Sequence, residues 1–502
     1  MEGQTKEIMK KLAFKWVTIP LTFAVVCCSG AIDNLPHQFD LKKADNILLK
    51  NYGTLAVYLG AYSGIIGGLF VDKLPNTVSF IVAAVFALIS FIPLAFLTEV
   101  TGGGMMALIL ILFFIAGLAS SISVLTAVVS LVRNFDAGRS AIILVGLSLC
   151  YLRLCTNMDD SFHEGFLKDV SKQIYLIIVG CILFLTFLVN AFAMTKVELG
   201  KLLDTVSENA DPAGVFTYVL VTGLLLVVYF VLEIVLQIHT AAAGVFIFFL
   251  FLNFLALALA VFLIYKKVKS GGGIGLGGLM KKGIEDVAPM KMFSKVRFSM
   301  ICLLCFTTLG VSYSLEELMT LLGLEAEALP TLKGAEATFW FADVSGRFFG
   351  GLLLYFLGEK FNGYKWNIVW ATLVFIGTCG IFAILSLDLN GSFWFMIPPI
   401  FVGLGCGGIW AVIPCLILGD GGYKNLGTNV GIAILFAGLG ICLFGFVLEL
   451  IGKLGILAGI FFLFFSLIGL ISTFIANADN EKANPKKVGS MTLSIDMIFC
   501  PF

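Results

Sequence analysis

Asp343 and Arg347 stand four residues apart inside an apolar stretch, where an acid and a base at i and i+4 share one helix face and can bridge. Ionisable side chains in such surroundings are costly, so the pair is a functional hypothesis by default. Gly346, Gly350 and Gly351 beside it allow another helix to approach closely. A third such charge, Arg153, lies about thirteen residues into a separate apolar run, roughly 20 Å from its start at 1.5 Å per residue. Arg153 reads as an anion-binding cation or as half of an interhelical gate. Its alternative is snorkelling toward headgroups near Asn157, Asp159 and Asp160. The Asp343–Arg347 pair has a purely structural alternative too, each charge satisfying the other.

Other polar candidates are weaker. Trp410 stands in a Gly-rich stretch before Pro414, where a helix can bend and expose backbone. Asn429 opens a later apolar run, and Tyr58 and Tyr62 are spaced at i and i+4. Core packing accounts for all of these more simply. Glu233, Glu316, Glu317 and Glu449 fall near predicted outer helix ends, where interfacial placement explains them. His37, His163 and His239 map to outer loops; solvation explains them, and pH sensing is the alternative.

The elements that must position these residues are membrane helices. Of 502 residues, 59% are hydrophobic and 13% charged, against about 25% charged in an ordinary soluble domain. Too little polar surface remains to cover a water-soluble fold. The 54 glycines suit packed membrane helices, where small residues let backbones meet. A span needs about 20 mostly apolar residues. Candidates lie at 12–32, 53–71, 77–97, 105–132, 140–158 and 173–195, then 215–238 and 241–265. Six more lie at 299–322, 334–357, 365–387, 393–418, 426–450 and 454–476. That makes fourteen transmembrane helices arranged six, two, six. The pair within 215–265 is the least secure, because the turn around His239 is short.

Most of the 32 Lys and Arg fall on one side if the N-terminus is cytosolic and the span count before the basic segment 266–298 is even. Both termini are then cytosolic. The basic N-terminus ahead of an apolar run resembles a signal peptide, but the many later spans favour a retained signal anchor. The expected organisation is a six-helix bundle over 1–195, two extra helices and a Gly-rich cytosolic linker over 196–298, a second bundle over 299–477, and a cytosolic tail over 478–502.

Several chemistries are excluded. A formal G-x-G-x-x-G at Gly273, Gly275 and Gly278 follows a membrane helix rather than a strand, so it reads as linker. No G-x-x-x-x-G-K-[ST] phosphate loop occurs, which argues against an ATP-driven pump. Zero net charge points to no nucleic acid, and the twelve cysteines form no metal-spaced framework. Cys302 and Cys305 have CxxC spacing with no second pair or His nearby, so they read as small hydrophobes. No Ser-His-Asp set or catalytic carboxylate pair is visible. No enzyme activity, cofactor or metal is expected.

Two loops carry a family resemblance. Gly68-Leu-Phe-Val-Asp72-Lys73 resembles the G-x-x-x-D-[RK] loop of the major facilitator superfamily, although Leu74-Pro75-Asn76-Thr77 follows it here in place of a further Gly and basic residues. Val132-Arg133-Asn134-Phe135-Asp136-Ala137-Gly138-Arg139 resembles the V-R-N-F-P-x-S-R-G loop of nodulin-like facilitators, with Asp136 replacing the Pro and Gly138 preceding the Arg. The Gly403–Pro414 stretch and Gly422-Tyr423-Lys424-Asn425-Leu426-Gly427-Thr428-Asn429 are similar to that group's Gly-rich helix and its F-G-x-K-H-F-G-T-x-x-N segment. The group includes monocarboxylate-transporter-like members.

The resemblance implies a major facilitator-type fold and secondary transport of a small solute by alternating access between two bundles. Arg153 and Arg347 would favour an anionic or zwitterionic solute, with Asp343 balancing charge or taking a proton. Gly68, Asp72 and Lys73, with Arg133 and Arg139, would close the cytosolic side. An amino-acid or neutral-solute facilitator is the nearest alternative, and a transport-inactive membrane sensor or scaffold is the alternative from another class. A monomer in the lipid bilayer of the plasma membrane or an endomembrane is expected.

Overall fold

The computed structural model describes residues 19–35 apart from 20 and 34, then 47–97, 103–134, 139–166, 170–193, four residues between 221 and 232, 286–325, 330–357, 362–387, 393–422, 424–451 and 455–483. The expected helix pair at 215–265 and the Gly-rich part of the linker lie outside those residues. Among the described residues every regular element is helical. That is what a bilayer demands, because a helix satisfies its own backbone donors and acceptors where no water can.

Helix α1 covers Leu21–Asp33. It is followed by α2 (Ile47–Ala61), α3 (Gly64–Lys73), α4 (Asn76–Leu97), α5 (Gly103–Asn134), α6 (Arg139–Phe166) and α7 (Lys172–Ala193). After the linker come α8 (Pro289–Phe293), α9 (Val296–Leu304), a π-turn at Cys305–Leu309, and α10 (Gly310–Glu325). Then follow α11 (Pro330–Leu357), α12 (Gly363–Ser386), α13 (Ile397–Gly421), α14 (Leu426–Ile451) and α15 (Gly455–Ala483). Nine crossings among the described residues are long and apolar enough to span a membrane. Large apolar side chains such as Phe96, Phe192, Leu450 and Phe464 remain exposed on the outer faces. In a membrane this surface meets lipid.

The second expected span is not one continuous helix. It breaks at Tyr62–Ser63, where the Ser63 hydroxyl and amide both donate to the Gly60 carbonyl. A serine that bonds its local backbone offers an alternative to the helical ladder, and the glycines on either side give that ladder little support. The ninth expected span is likewise interrupted, by the π-turn.

Buried apolar residues separate into clusters. One draws only on residues between Val25 and Ala191, another only on residues between Val311 and Phe462. A third, centred on Tyr151, Trp370 and Ile413, takes members from both regions and joins them. The two regions meet mainly along α3 against α14 and α6 against α11. Both seams are lined by glycine. A Cβ on Gly64 would run into Gly431, one on Gly68 into Gly427 and Thr428, and one on Gly146 into Arg347 and Gly351 backbone. Lipid tails are as apolar as leucine, so association rests on such close backbone contact.

Candidate functional site

Helix α11 brings Asp343 and Arg347 onto one face, as their spacing requires. Arg347 Nε donates to Asp343 Oδ1 at 3.2 Å and Nη2 to Oδ2 at 3.0 Å, a two-pronged geometry suited to a guanidinium. Its Nη2 also donates to the Tyr313 hydroxyl at 2.7 Å and its Nη1 to the Leu149 carbonyl at 2.9 Å. Leu149 belongs to α6, so this side chain ties the two bundles. Asp343 is fully buried and Arg347 nearly so.

Arg153 points inward rather than toward the headgroups. It pairs with Glu316 of α10, places Nε 3.2 Å from Asp343 Oδ2, and lies over the Tyr313 ring with its guanidinium carbon 5.6 Å from the centroid. Trp410 of α13 faces Arg347 at 6.0 Å and Tyr62 at 6.2 Å between ring centres. Tyr58 packs edge-on against Tyr62. The helix break at Tyr62 therefore lies against this centre. Arg153, Asp343, Arg347 and Trp410 come together.

Asp33 completes the group. It ends α1, its Oδ1 is buried without a hydrogen-bond partner, and the charges of Arg153 and Arg347 both act on it. The cluster thus holds three carboxylates (Asp33, Glu316, Asp343) and two guanidiniums. If all are ionised, one negative charge is left over in a region where uncompensated charge is expensive. Neither Asp33 nor Glu316 stood out in the sequence. Asp33 falls just past the expected first span, and Glu316 looked interfacial until the fold set α10 beside α6. Their one legible signal was proximity to a span end.

A second polar cluster closes one end of the bundle. Asp72, at the end of α3, has a side chain only 1% exposed and sits 2.6 Å from Arg133 Nη2 at the end of α5. It also crosses to the other half. Its Oδ1 accepts from the Gly427 amide at 3.1 Å, and its Oδ2 accepts from the Thr428 amide at 2.6 Å and the Thr428 hydroxyl at 2.7 Å. Those amides sit in the first turn of α14, where unsatisfied N–H groups favour an anion. Arg133 further donates to the Val71 carbonyl at 3.3 Å and the Lys424 carbonyl at 3.4 Å. Gly68 lets the helices meet here. Lys73 points away into exposure, and the Arg139 side chain lies outside the described residues. Asn429 belongs near this end rather than the centre: it is fully buried beside Gly421, and neither of its side-chain polar atoms has a partner.

Residues 15–264 match the family model described as Nodulin-like. Over that N-terminal stretch the chain is nodulin-like. Its fold is of the major facilitator type. The chain aligns with the proton:xylose symporter XylE bound to 6-bromo-6-deoxy-D-glucose at TM-score 0.54 and 13% identity, covering 94% of this chain and 95% of that one. A double-Trp XylE variant gives 0.54 at 12% identity, with 95% and 96% covered. FucP in its outward conformation aligns at 0.46 and 15% identity, with 92% and 98% covered. No curated protein matches the chain. The nodulin-like match, the fold and the apolar spans together are those of a multi-pass membrane protein.

Proposed function

We propose that this nodulin-like protein is a secondary carrier that moves a small anionic or zwitterionic solute by alternating access. The solute binds among Arg153, Asp343, Arg347 and Trp410. One observation carries the reading: buried charged contacts cross between the halves, as ion pairs of Arg153 with Glu316 and Asp343 and as a hydrogen bond from Arg347 to the Leu149 carbonyl. A solute carboxylate can replace one of these acidic partners on a guanidinium, since the bidentate chemistry is the same. Exchanging an inter-half contact for a solute contact releases one bundle from the other.

The charge count favours a zwitterion over a simple anion. A lone anion would add to a cluster that, with every group ionised, already carries one surplus carboxylate. The ammonium end of a zwitterion, placed at Asp33, cancels that surplus; a plain anion would need a proton to travel with it. Asp72 and Arg133 hold the other contact between halves, and the distribution of Lys and Arg supports placing that end in the cytosol. With this end latched, solute reaches the centre from the opposite side.

The test is uptake by the purified protein in proteoliposomes, with a panel of monocarboxylates and amino acids. Arg153→Ala and Arg347→Ala are each expected to lower uptake at least tenfold, a loss of about 1.4 kcal/mol or more. Asp33→Asn is expected to abolish uptake of a zwitterion. If both Arg variants transport every solute as the parent does, the site is elsewhere. Saturable binding of a solute with no uptake would favour the sensor reading.

A further inference from the structure

We infer that the segment Asp286–Ala288, where the linker reaches α8, is a working part of the Asp72 gate, and that Asp286 is a positioning residue for it. The inference rests on the gate reading of Asp72 and Arg133. These residues grip the turn that presents the donor amides of Gly427 and Thr428 to Asp72.

Three bonds make the grip. Asp286 Oδ1 accepts from the Lys424 amide at 2.9 Å, the Val287 amide donates to the Gly421 carbonyl at 2.9 Å, and Asn425 Nδ2 donates to the Val287 carbonyl at 3.2 Å. Between them the chain leaves α13 through Gly422, whose φ of 74° is readily open only to a residue without a side chain. A turn built on Gly421 and Gly422 holds its shape poorly alone. Two and three residues after Asn425 come the Gly427 and Thr428 amides that bind Asp72.

Lys424 joins the two systems through a single residue. Its N–H goes to Asp286 in the linker and its C=O takes Arg133 from the gate. The two groups lie on adjacent peptide planes, so a bond that fixes the first plane limits the swing of the second and keeps its carbonyl aimed at Arg133. Below the turn, Asp420 is anchored from several sides. It pairs with Arg297 at 2.9 Å, accepts from the Tyr364 hydroxyl, and its carbonyl accepts from Lys295 Nζ at 2.6 Å. Arg297 also reaches Asp479 of α15 at 3.1 Å. The base of the second bundle is thereby stiff, and the strap carries that stiffness to residues 424–428. A pull on the linker acts on the gate directly.

The experiment compares Asp286→Ala with Asp286→Asn in the full chain in lipid nanodiscs. Asn keeps an oxygen that can accept from the Lys424 amide; Ala does not. The open fraction at this end is read by electron paramagnetic resonance distances between labels at Lys73→Cys and Lys424→Cys. Hydrogen exchange is followed at Gly427 and Thr428. D286A is expected to raise the open fraction about threefold to tenfold, the effect of losing one ordinary hydrogen bond, and to speed exchange at both amides. D286N should stay near the parent, and Asn425→Ala should follow D286A. In an Asp72→Asn background, D286A should add less than it does alone, because the latch it positions is already weakened. The inference is overturned if D286A leaves exchange at Gly427 and Thr428 unchanged, if D286N matches D286A, or if the D286A effect persists undiminished on top of D72N. If D72N alone leaves the open fraction unchanged, the gate reading fails and the inference falls with it.

Discussion

Asp72→Asn changes one atom and separates electrostatics from shape at the inter-bundle latch. Both carboxylate oxygens accept from the opposite half. The Oδ1 side faces only donors, Arg133 and the Gly427 amide, so the one remaining amide oxygen settles there. The new NH2 then faces the Thr428 amide, with which it cannot bond, while the Thr428 hydroxyl can turn to accept from it. One buried N–H is left unsatisfied, at about 1–3 kcal/mol. Loss of the charge on the partly exposed Arg133 pair adds up to about 1 kcal/mol. A total of about 1–4 kcal/mol shifts the closed–open balance at this end by about fivefold to several-hundred-fold, at 1.4 kcal/mol per decade. The assay is the label pair at Lys73→Cys and Lys424→Cys, both exposed at the latch, with exposed Cys181 replaced by Ala. Thr428→Val, which removes only the hydroxyl, should shift the same balance several-fold. An unchanged distance distribution in D72N would refute the reasoning. So would a T428V effect as large as that of D72N.

Two further outcomes follow from the packing. Arg347→Ala leaves the fully buried Asp343 short of its main partner and is expected to cost about 3–5 kcal/mol, seen as a large drop in thermal stability in detergent; Asp343→Ala added to it should recover most of the loss without restoring uptake. A double variant as unstable as R347A would show that the pair is not the source of the cost. Gly431→Ala drives a methyl into Gly64 backbone and is expected to loosen the α3–α14 seam by about 1–3 kcal/mol, opening the latch end, whereas Gly419→Ala, with nothing within 4 Å, should leave the label distances unchanged.

Much of the architecture was legible because its signal is local. A run of twenty apolar residues needs no partner to declare itself, and the described spans lie on the stretches where hydropathy put them. Asp343 and Arg347 were legible for the same reason: four residues on a helix is a fixed distance. The break at Tyr62–Ser63 was not, because Gly60-Ala-Tyr-Ser63-Gly64 remains apolar enough to pass as unbroken helix. Asn429 stands out in the sequence only as a polar residue opening an apolar run. In space it belongs with Gly421 near the latch, since it lies one turn from that end of α14.

What the sequence determined by itself, then, was an all-helical membrane protein with a few charges that had to be paired inside it. Hydropathy and helical periodicity act along the chain and require no knowledge of neighbours. Which charges pair was decided only by tertiary structure. Arg153 meets Glu316 across 163 residues of sequence, and Asp72 meets Thr428 across 356. These partners are chosen by where glycine-lined helices can touch, a property of two surfaces at once. The surplus carboxylate at Asp33 follows from that assembly, because a charge count has meaning only once the fold has enclosed the groups being counted.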